Sequence, residues 1–346
     1  MMVMAQPVSV VAETSGKEWI WIFVGILSVA FLLTVLLCRL IIPVLRSHHI
    51  GQHIFFDYVK EHKGKEGTPT MGGICFILPV LALALVYMAL RGVRTGEPLV
   101  PLALTVCLGV ANAMIGFFDD YKKLSHHENL GLKSWQKFLL QILVAALYLW
   151  AMAAFGGMDT VLRVRMLGVE RDLGIFYYVI SLIVIVGVVN STNLTDGIDG
   201  LASSVAMVAS MGLVVLSLIV GRESGVLIGT LLIGATLGFL VFNFHPAKVF
   251  MGDTGSLFLG GMLIGAGFML DEPLLMILMC AVFVLDMLSS LIQILSIRLF
   301  HRKVFRIAPV HHQFQQMHWS EERIVFVFSG VGLLFAAIAV VIPLFA

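Results

Sequence analysis

The chain has 346 residues, of which 59% are apolar and only 12% charged. Soluble domains carry about 25% charged residues, so this composition excludes a soluble globule, a disordered chain and a secreted disulfide scaffold. The 22 basic and 21 acidic residues leave a formal net charge of +1, too balanced for a nucleic-acid-binding face. The composition implies an all-α polytopic membrane protein, with 1–346 forming one integral-membrane domain and no nucleic-acid partner.

Ten apolar runs approach the length needed to cross a ~30 Å hydrocarbon core. They cover 18–46, 71–91, 98–118, 136–155, 174–191, 200–220, 225–242, 255–270, 273–299 and 323–345. In lipid the backbone must satisfy its own hydrogen bonds, which such runs do as helices. The first sixteen residues lack the basic start of a cleavable leader, the first lysine being Lys17. Between the fourth and fifth runs, Val161–Arg171 alternates apolar and charged residues around Met166-Leu167-Gly168, which predicts a small external β-hairpin. In the eighth run, Gly260, Gly261, Gly265 and Gly267 suit close helix–helix contact. Cys38, Cys75, Cys107 and Cys280 all lie in apolar runs without metal-type pairing, as small hydrophobes in helix packing do.

Orientation follows from the basic residues. Of the 22 lysines and arginines, fifteen fall on one side of the ten runs and seven on the other. The positive-inside rule makes the richer side cytoplasmic and places both termini outside. The residues capable of chemistry obey the same parity. Asp119-Asp120, Asn193 to Gly200, Asn243 to Gly255 and His311-His312 each follow an odd-numbered run, so all of them emerge on the cytoplasmic face.

Clustered aspartates with a nearby asparagine are hard oxygen donors of the kind Mg²⁺ prefers, commonly shared with substrate phosphates, and lysines beside them neutralise phosphate charge. Asp253, with Thr254 and Gly255 ahead of an apolar run, also resembles a helix N-cap. Asp196 and Asp199 stand at i and i+3, which predicts one face of a helix start, where a cation would relieve their repulsion. Asp119-Asp120 could simply end a span at the water interface, and His311-His312 could belong to a solvated basic loop. Asp286 falls near the middle of the ninth run, where a carboxylate costs roughly 3 kcal/mol on insertion scales. Pairing with a neighbouring helix and contact with substrate are its two readings, the first favoured.

Five motifs occur in one order: Gly67-Thr68-Pro69-Thr70-Met71-Gly72-Gly73, Asp119-Asp120-Tyr121-Lys122-Lys123, Asn193 to Gly200, Phe250 to Leu257, and Ala308-Pro309-Val310-His311-His312. From about residue 18 onward the chain resembles the bacterial phospho-N-acetylmuramoyl-pentapeptide transferases, of the polyprenyl-phosphate N-acetylhexosamine-1-phosphate transferase superfamily. The resemblance implies transfer of phospho-MurNAc-pentapeptide from UDP-MurNAc-pentapeptide to undecaprenyl phosphate in the bacterial cell membrane. UMP and the first lipid-linked peptidoglycan precursor would be the products, with Mg²⁺ as cofactor. It further implies that Asp253 is the metal ligand, that Asp119 and Asp120 flank the reacting phosphates, and that Lys123 completes the catalytic set. Lys65, Thr70, Lys137, Asn193, Asp196, Gly197, Ile198, Asp199, Asn243, Phe250 and Gln293 match nucleotide- and sugar-side positions, Phe250 by stacking on uracil. His311 and His312 match a His cluster near the nucleotide sugar. Relatives of this kind are commonly homodimers whose broken ninth helix opens a groove for membrane lipid. The chain departs from the pattern at Gln313, where a third His is usual, at Gln315, where an acid is usual, and at Phe55-Phe56-Asp57-Tyr58-Val59, where Arg-x-Asp-Gly-Pro is usual.

A phosphate monoester, with a second pKa of ~6, is largely dianionic at neutral pH, so a general base has little to remove. The resemblance therefore favours direct attack, with Asp119 orienting the lipid phosphate and Asp120 supporting the metal shell; a covalent phosphoryl-aspartate route is the alternative. Two rival functions are a sister transferase using UDP-GlcNAc and an ion-coupled transporter. A transporter would gather ionisable groups at the bilayer midplane, where this sequence has only Asp286.

Overall fold

The computed structural model describes residues 16–47, 67–95, 99–125 and 131–345. Its helices, in chain order, are α1 (Gly16–Ser47), α2 (Ile74–Thr95), α3 (Val100–Ser125), α4 (Ser134–Phe155), α5 (Ile175–Thr195), α6 (Leu201–Ile219), α7 (Glu223–Asn243), α8 (Gly252–Met269), α9 (Pro273–Met279), α10 (Ala281–Phe300), α11 (Val310–Gln316) and α12 (Glu321–Phe345). Among the described residues, nine of these are long and apolar enough to cross a membrane, against the ten runs expected. The eighth run is the exception: α8 has only 18 residues and opens on a polar turn. Nearly all of it is buried, from Gly252 to Met269 with Asp253 the partial exception, so its neighbours are other helices rather than lipid.

Glycine makes that central position possible. A Cβ at Gly260 would stand 2.7 Å from the Val189 Cα of α5, and one at Gly261 would stand 3.1 Å from the Gly109 Cα of α3. Without side chains at these points α8 wedges between α3 and α5, and dispersion contacts replace a hydrophobic driving force that lipid does not supply. Around this centre, α6 packs on α7 and α12, and α1 packs on α7. Cys38, Cys75 and Cys280 are buried and Cys107 is exposed, all as free thiols.

The ninth run breaks as the resemblance implied. Pro273 starts α9, and at Cys280 the backbone leaves helical geometry before α10 begins. An apolar groove of about 370 Å³ opens beside the break, between Leu274, Leu278, Leu285, Phe335 and Ile342. The hairpin is also present. Strands β1 (Val161–Val164) and β2 (Val169–Asp172) pair antiparallel, with Val161 opposite Asp172 and Val164 opposite Val169. A 3₁₀ turn over Arg165–Leu167 joins them, closed by Gly168 at φ +60°, a left-handed conformation natural to glycine. Arg165 ties the turn to Glu272, whose side chain is buried at the start of α9.

Candidate active site

The polar motifs meet at one end of the bundle: the last two turns of α3, the first turns of α4 and α8, and the last turn of α5 bring Asp119, Asp120, Lys123, Lys137, Asn193 and Asp253 together. Two close backbone approaches set this up. Gly72 N–H donates to the Phe250 carbonyl at 2.8 Å, Gly73 N–H to Met251 at 3.0 Å, and Phe250 N–H to Pro69 at 2.8 Å. This short ladder holds the 67–73 segment against the start of α8, and a Cβ at Gly73 would lie only 2.4 Å from the Gly255 Cα. On α3, Gly116 plays the same part beneath the Asp253 backbone.

Asp253 does not cap α8, as the sequence suggested. Met251 occupies the N-cap position and Asp253 lies inside the first turn. The capping acceptor comes from α3: Asp120 Oδ1 accepts from Asp253 N–H at 3.2 Å, while its Oδ2 accepts from Thr254 N–H at 2.9 Å and Thr254 Oγ1 at 2.7 Å. A carboxylate on the orphan N–H groups of a helix start is favourable both as a hydrogen-bond acceptor and for the helix dipole. Asp120 thereby fixes α8 relative to α3 and frees the Asp253 side chain to face the site.

That side chain is the hub. Its Oδ2 accepts from Lys137 Nζ at 2.8 Å and from Lys123 Nζ at 3.1 Å, and its Oδ1 accepts from Asn193 Nδ2 at 2.7 Å. Lys123 also stands 2.6 Å from Asp119 Oδ2, and Lys137 donates to Asn193 Oδ1 at 3.1 Å. Asp119 Oδ1 accepts from the Leu132 N–H at 2.7 Å. Carboxylate oxygens of Asp119, Asp120 and Asp253 lie within 4.8 Å of one another, a spacing and donor set that suit a hard divalent cation. Asp120 is held by backbone N–H groups and the Thr254 hydroxyl of α8, whereas Asp253 Oδ2 and Asp119 Oδ2 are held by lysine ammonium groups that can turn to a substrate phosphate, so Asp253 and Asp119 are the donors a cation could take over.

A cavity of about 680 Å³ opens from this cluster, lined by Asp119, Lys123, Lys137 and Asp253 at one end. Gln141 and Asn190 also line it, joined by a bond from Asn190 Nδ2 to Gln141 Oε1 at 2.7 Å. Neither residue was singled out in the sequence. The signal was there: Gln141 is i+4 from Lys137 on α4, and Asn190 is i−3 from Asn193 on α5, the spacings that share a helix face.

The other expected positions divide into groups. Thr70 is buried beside Gly252 and Asp120, its hydroxyl unpartnered among the described residues. Asp196 and Asp199 do not begin a helix. Asp196 ends α5, and Gly200, at φ +76°, turns the chain before α6 starts at Leu201. Burial pushes the Asp196 carboxyl well above the usual carboxylate range, reinforced by the negative charge of Asp253, Asp120 and Asp199. Gly197 is exposed and Ile198 buried. Asp199 joins a second cluster, with His245 Nδ1 3.0 Å from its Oδ2 and its own N–H donating to Glu321 at 3.2 Å. Asn243 is buried, accepting from Ser203 at 2.8 Å and donating to the Val249 carbonyl at 3.0 Å, and so holds the loop that presents the half-buried Phe250.

On α10, Gln293 accepts from the Val304 and Phe305 N–H groups at 3.1 and 2.9 Å and donates to the Phe305 carbonyl at 3.0 Å. The mid-helix Asp286 pairs across the bundle, with Thr195 Oγ1 at 3.0 Å and His311 Nδ1 at 2.7 Å. The favoured sequence reading of Asp286 therefore holds. His312 Nδ1 lies 2.7 Å from Gln315 Oε1, so the glutamine in the acidic position serves as the histidine's partner. Lys65 and the 53–62 loop lie outside the described residues.

Comparison with known proteins places this arrangement. A glycosyl transferase family 4 model matches residues 102–271, and a phospho-N-acetylmuramoyl-pentapeptide-transferase signature matches residues 65–77. The phospho-N-acetylmuramoyl-pentapeptide-transferase of Geobacillus kaustophilus is 43% identical, over 91% of this chain and 96% of its own length. The chain belongs to the phospho-N-acetylmuramoyl-pentapeptide-transferase family. Transferases of the same name from Shouchella clausii and Bacillus subtilis are 40% and 38% identical, over 94% and 90% of the chain and 98% and 95% of their own lengths. Both family matches fall on the site: the 65–77 signature includes Pro69, Gly72 and Gly73, which are laddered to Phe250 and Met251, and the 102–271 match spans α3 to α8, which carry every aspartate of the cluster.

Proposed function

We propose that the protein transfers phospho-MurNAc-pentapeptide from UDP-MurNAc-pentapeptide to undecaprenyl phosphate, releasing UMP, as a single transferase domain at the cytoplasmic face of the bacterial cell membrane. The observation that carries the reading is the convergence of Lys123, Lys137 and Asn193 on Asp253 at the mouth of a cavity. Cationic and hydrogen-bonding groups around a carboxylate hub suit two phosphate substrates that repel each other.

In the reaction a lipid phosphate oxygen bonds to the sugar-bearing phosphorus of the diphosphate, and the bridging P–O bond to UMP breaks. The nucleophile is already deprotonated, so the residues act by position and charge. Lys123 and Lys137 swing from carboxylate to phosphate oxygens and offset the repulsion between the two anions. Asp119, held by the Leu132 N–H, orients the incoming phosphate, and Asp120 keeps Asp253 in place through α8. Mg²⁺, when held by Asp253 and Asp119, supplies neutralisation of the diphosphate charge. The nucleotide lies toward the 196–199 turn and Phe250, with Thr70 and Asn243 contributing to its binding and Lys65 assigned to it by the family resemblance alone. The polyprenyl chain remains in the membrane, and the protein works as a homodimer.

The sister-transferase reading is separated by measuring UMP release from purified protein with undecaprenyl phosphate and each nucleotide sugar in turn. UDP-MurNAc-pentapeptide is expected to support release at least 100-fold faster than UDP-GlcNAc; the reverse preference would overturn the substrate assignment.

A further inference from the structure

Gln141 of α4 is 2% exposed, yet it lines the cavity of about 680 Å³ that opens from the aspartate and lysine cluster. Its Oε1 accepts from Asn190 Nδ2 at 2.7 Å, and the same Asn190 nitrogen donates to the Val186 carbonyl at 2.8 Å. These two bonds fix both amides. Turning Asn190 over would set its oxygen against the Val186 carbonyl oxygen, and turning Gln141 over would set two NH₂ groups against each other. Gln141 Nε2 is therefore directed away from Asn190, and it has no partner among the described residues. A donor left unmet inside a membrane-spanning bundle is costly. The cavity beside it supplies a reason, an acceptor that arrives with a substrate.

Two features say which substrate. Gln141 is i+4 from Lys137 on the same face of α4, roughly 6 Å further into the spanning part of the bundle, and Asn190 is likewise one turn in from Asn193 on α5. The cavity is also lined by Trp135 and Phe138, which are exposed on the apolar, membrane-spanning α4, so one of its sides lies within reach of lipid. The residues assigned to the nucleotide side, Asp196, Phe250 and Asn243, lie outside its lining. We propose that Gln141 binds the lipid acceptor: its Nε2 donates to an oxygen of the polyprenyl phosphate while Lys123 and Lys137 take other oxygens of the same group. Asn190 is the positioning residue, since its amide turns the Gln141 donor toward the substrate. A neutral amide suits this depth, where a further lysine would carry the cost of a charge in the membrane. The proposal rests on the transferase reading above, which makes a polyprenyl phosphate the acceptor.

The test is binding without turnover. Undecaprenyl phosphate and, separately, UDP-MurNAc-pentapeptide are titrated into the full-length protein in detergent at pH 8 by calorimetry, for wild type, Gln141→Met and Gln141→Glu. Met keeps the length of the side chain and removes the donor; Glu keeps the acceptor for Asn190 and puts an anion where the donor stood. Loss of a hydrogen bond to a charged group is expected to raise the Kd for undecaprenyl phosphate roughly tenfold or more in Gln141→Met, and further in Gln141→Glu, with the Kd for the nucleotide sugar within about twofold of wild type. A residue that only braced Asn190 would give the opposite order, with Glu close to wild type and Met the weaker binder, and that result would overturn the proposal. A rise in the nucleotide Kd equal to that for the lipid would overturn it as well. Should Gln141→Met fail to fold, Gln141→Glu decides, because wild-type affinity for the lipid phosphate in that variant contradicts the assignment. Failure of the transferase reading is separate: a wild type that released no UMP would sink that reading, while the dependence of lipid-phosphate binding on Gln141 is read without any UMP being formed.

Discussion

Gly116 of α3 and Asp253 of α8 approach so closely that a Cβ at position 116 would lie 2.2 Å from the Asp253 carbonyl oxygen. Four residues further along α3, Asp120 binds the first N–H groups of α8. The aspartates of the two helices are thus brought together by an absence of side chain below them and a capping bond above.

Gly116→Ala puts a methyl group against backbone that cannot swing aside. Overpacking of this kind costs about 1–3 kcal/mol, and here the displaced atoms carry the metal-binding side chain. UMP release is expected to fall at least tenfold, with a lowered unfolding temperature in detergent. Full activity would mean that α3 and α8 are less tightly apposed than described.

Thr254→Val keeps the volume of the side chain and removes only the hydroxyl bond to Asp120. A buried hydrogen bond to a charged group is worth about 1.5–3 kcal/mol. Since the backbone bond from Thr254 to Asp120 persists, the fold is expected to survive while kcat drops on the order of tenfold through a looser Asp253. Thr254→Ser should restore most of the rate. Steady-state kinetics on the two variants checks the pair.

Asp196 gives a pH signature. Its carboxyl is raised in the folded protein, chiefly by burial, so the folded state holds that proton more tightly than the unfolded chain does. Its contribution to stability is complete below the ordinary value of about 3.9 and is lost as pH rises through the folded value. Asp196→Asn carries no such titration. Thermal unfolding in EDTA, followed from pH 4 upward, should therefore show wild type losing ground to the variant as pH rises. Parallel curves would show that the carboxyl is not held in a raised state.

The spans, the hairpin and the gathering of aspartates at one end were legible from periodicity, alternation and span parity, while the broken ninth run was expected from the family resemblance alone. What could not be read was which partner each group takes across the fold. Asp253 looked like a cap because Asp-Thr-Gly precedes an apolar run, yet the cap is Asp120, 133 residues away in sequence. Asp196 and Asp199 looked like a helix start because their spacing fits one, and a single left-handed glycine at 200 delays α6. Gln141 and Asn190 were overlooked because a lone amide in an apolar helix carries little signal until its neighbours on the same face are considered. The pairing of Asp286 with His311 joins α10 to α11, a seven-residue helix too short for apolar periodicity to mark.

The central claim is that a divalent cation held at Asp253 supports phospho-sugar transfer to a polyprenyl phosphate. The direct measurement is UMP release from UDP-MurNAc-pentapeptide and undecaprenyl phosphate, titrated with Mg²⁺ in wild type and in Asp253→Ala. Wild type is expected to show saturable dependence on Mg²⁺ and to lose activity in EDTA, and the variant to fall at least 1,000-fold at every concentration. Equal rates in the two proteins, or release indifferent to Mg²⁺, would contradict the site.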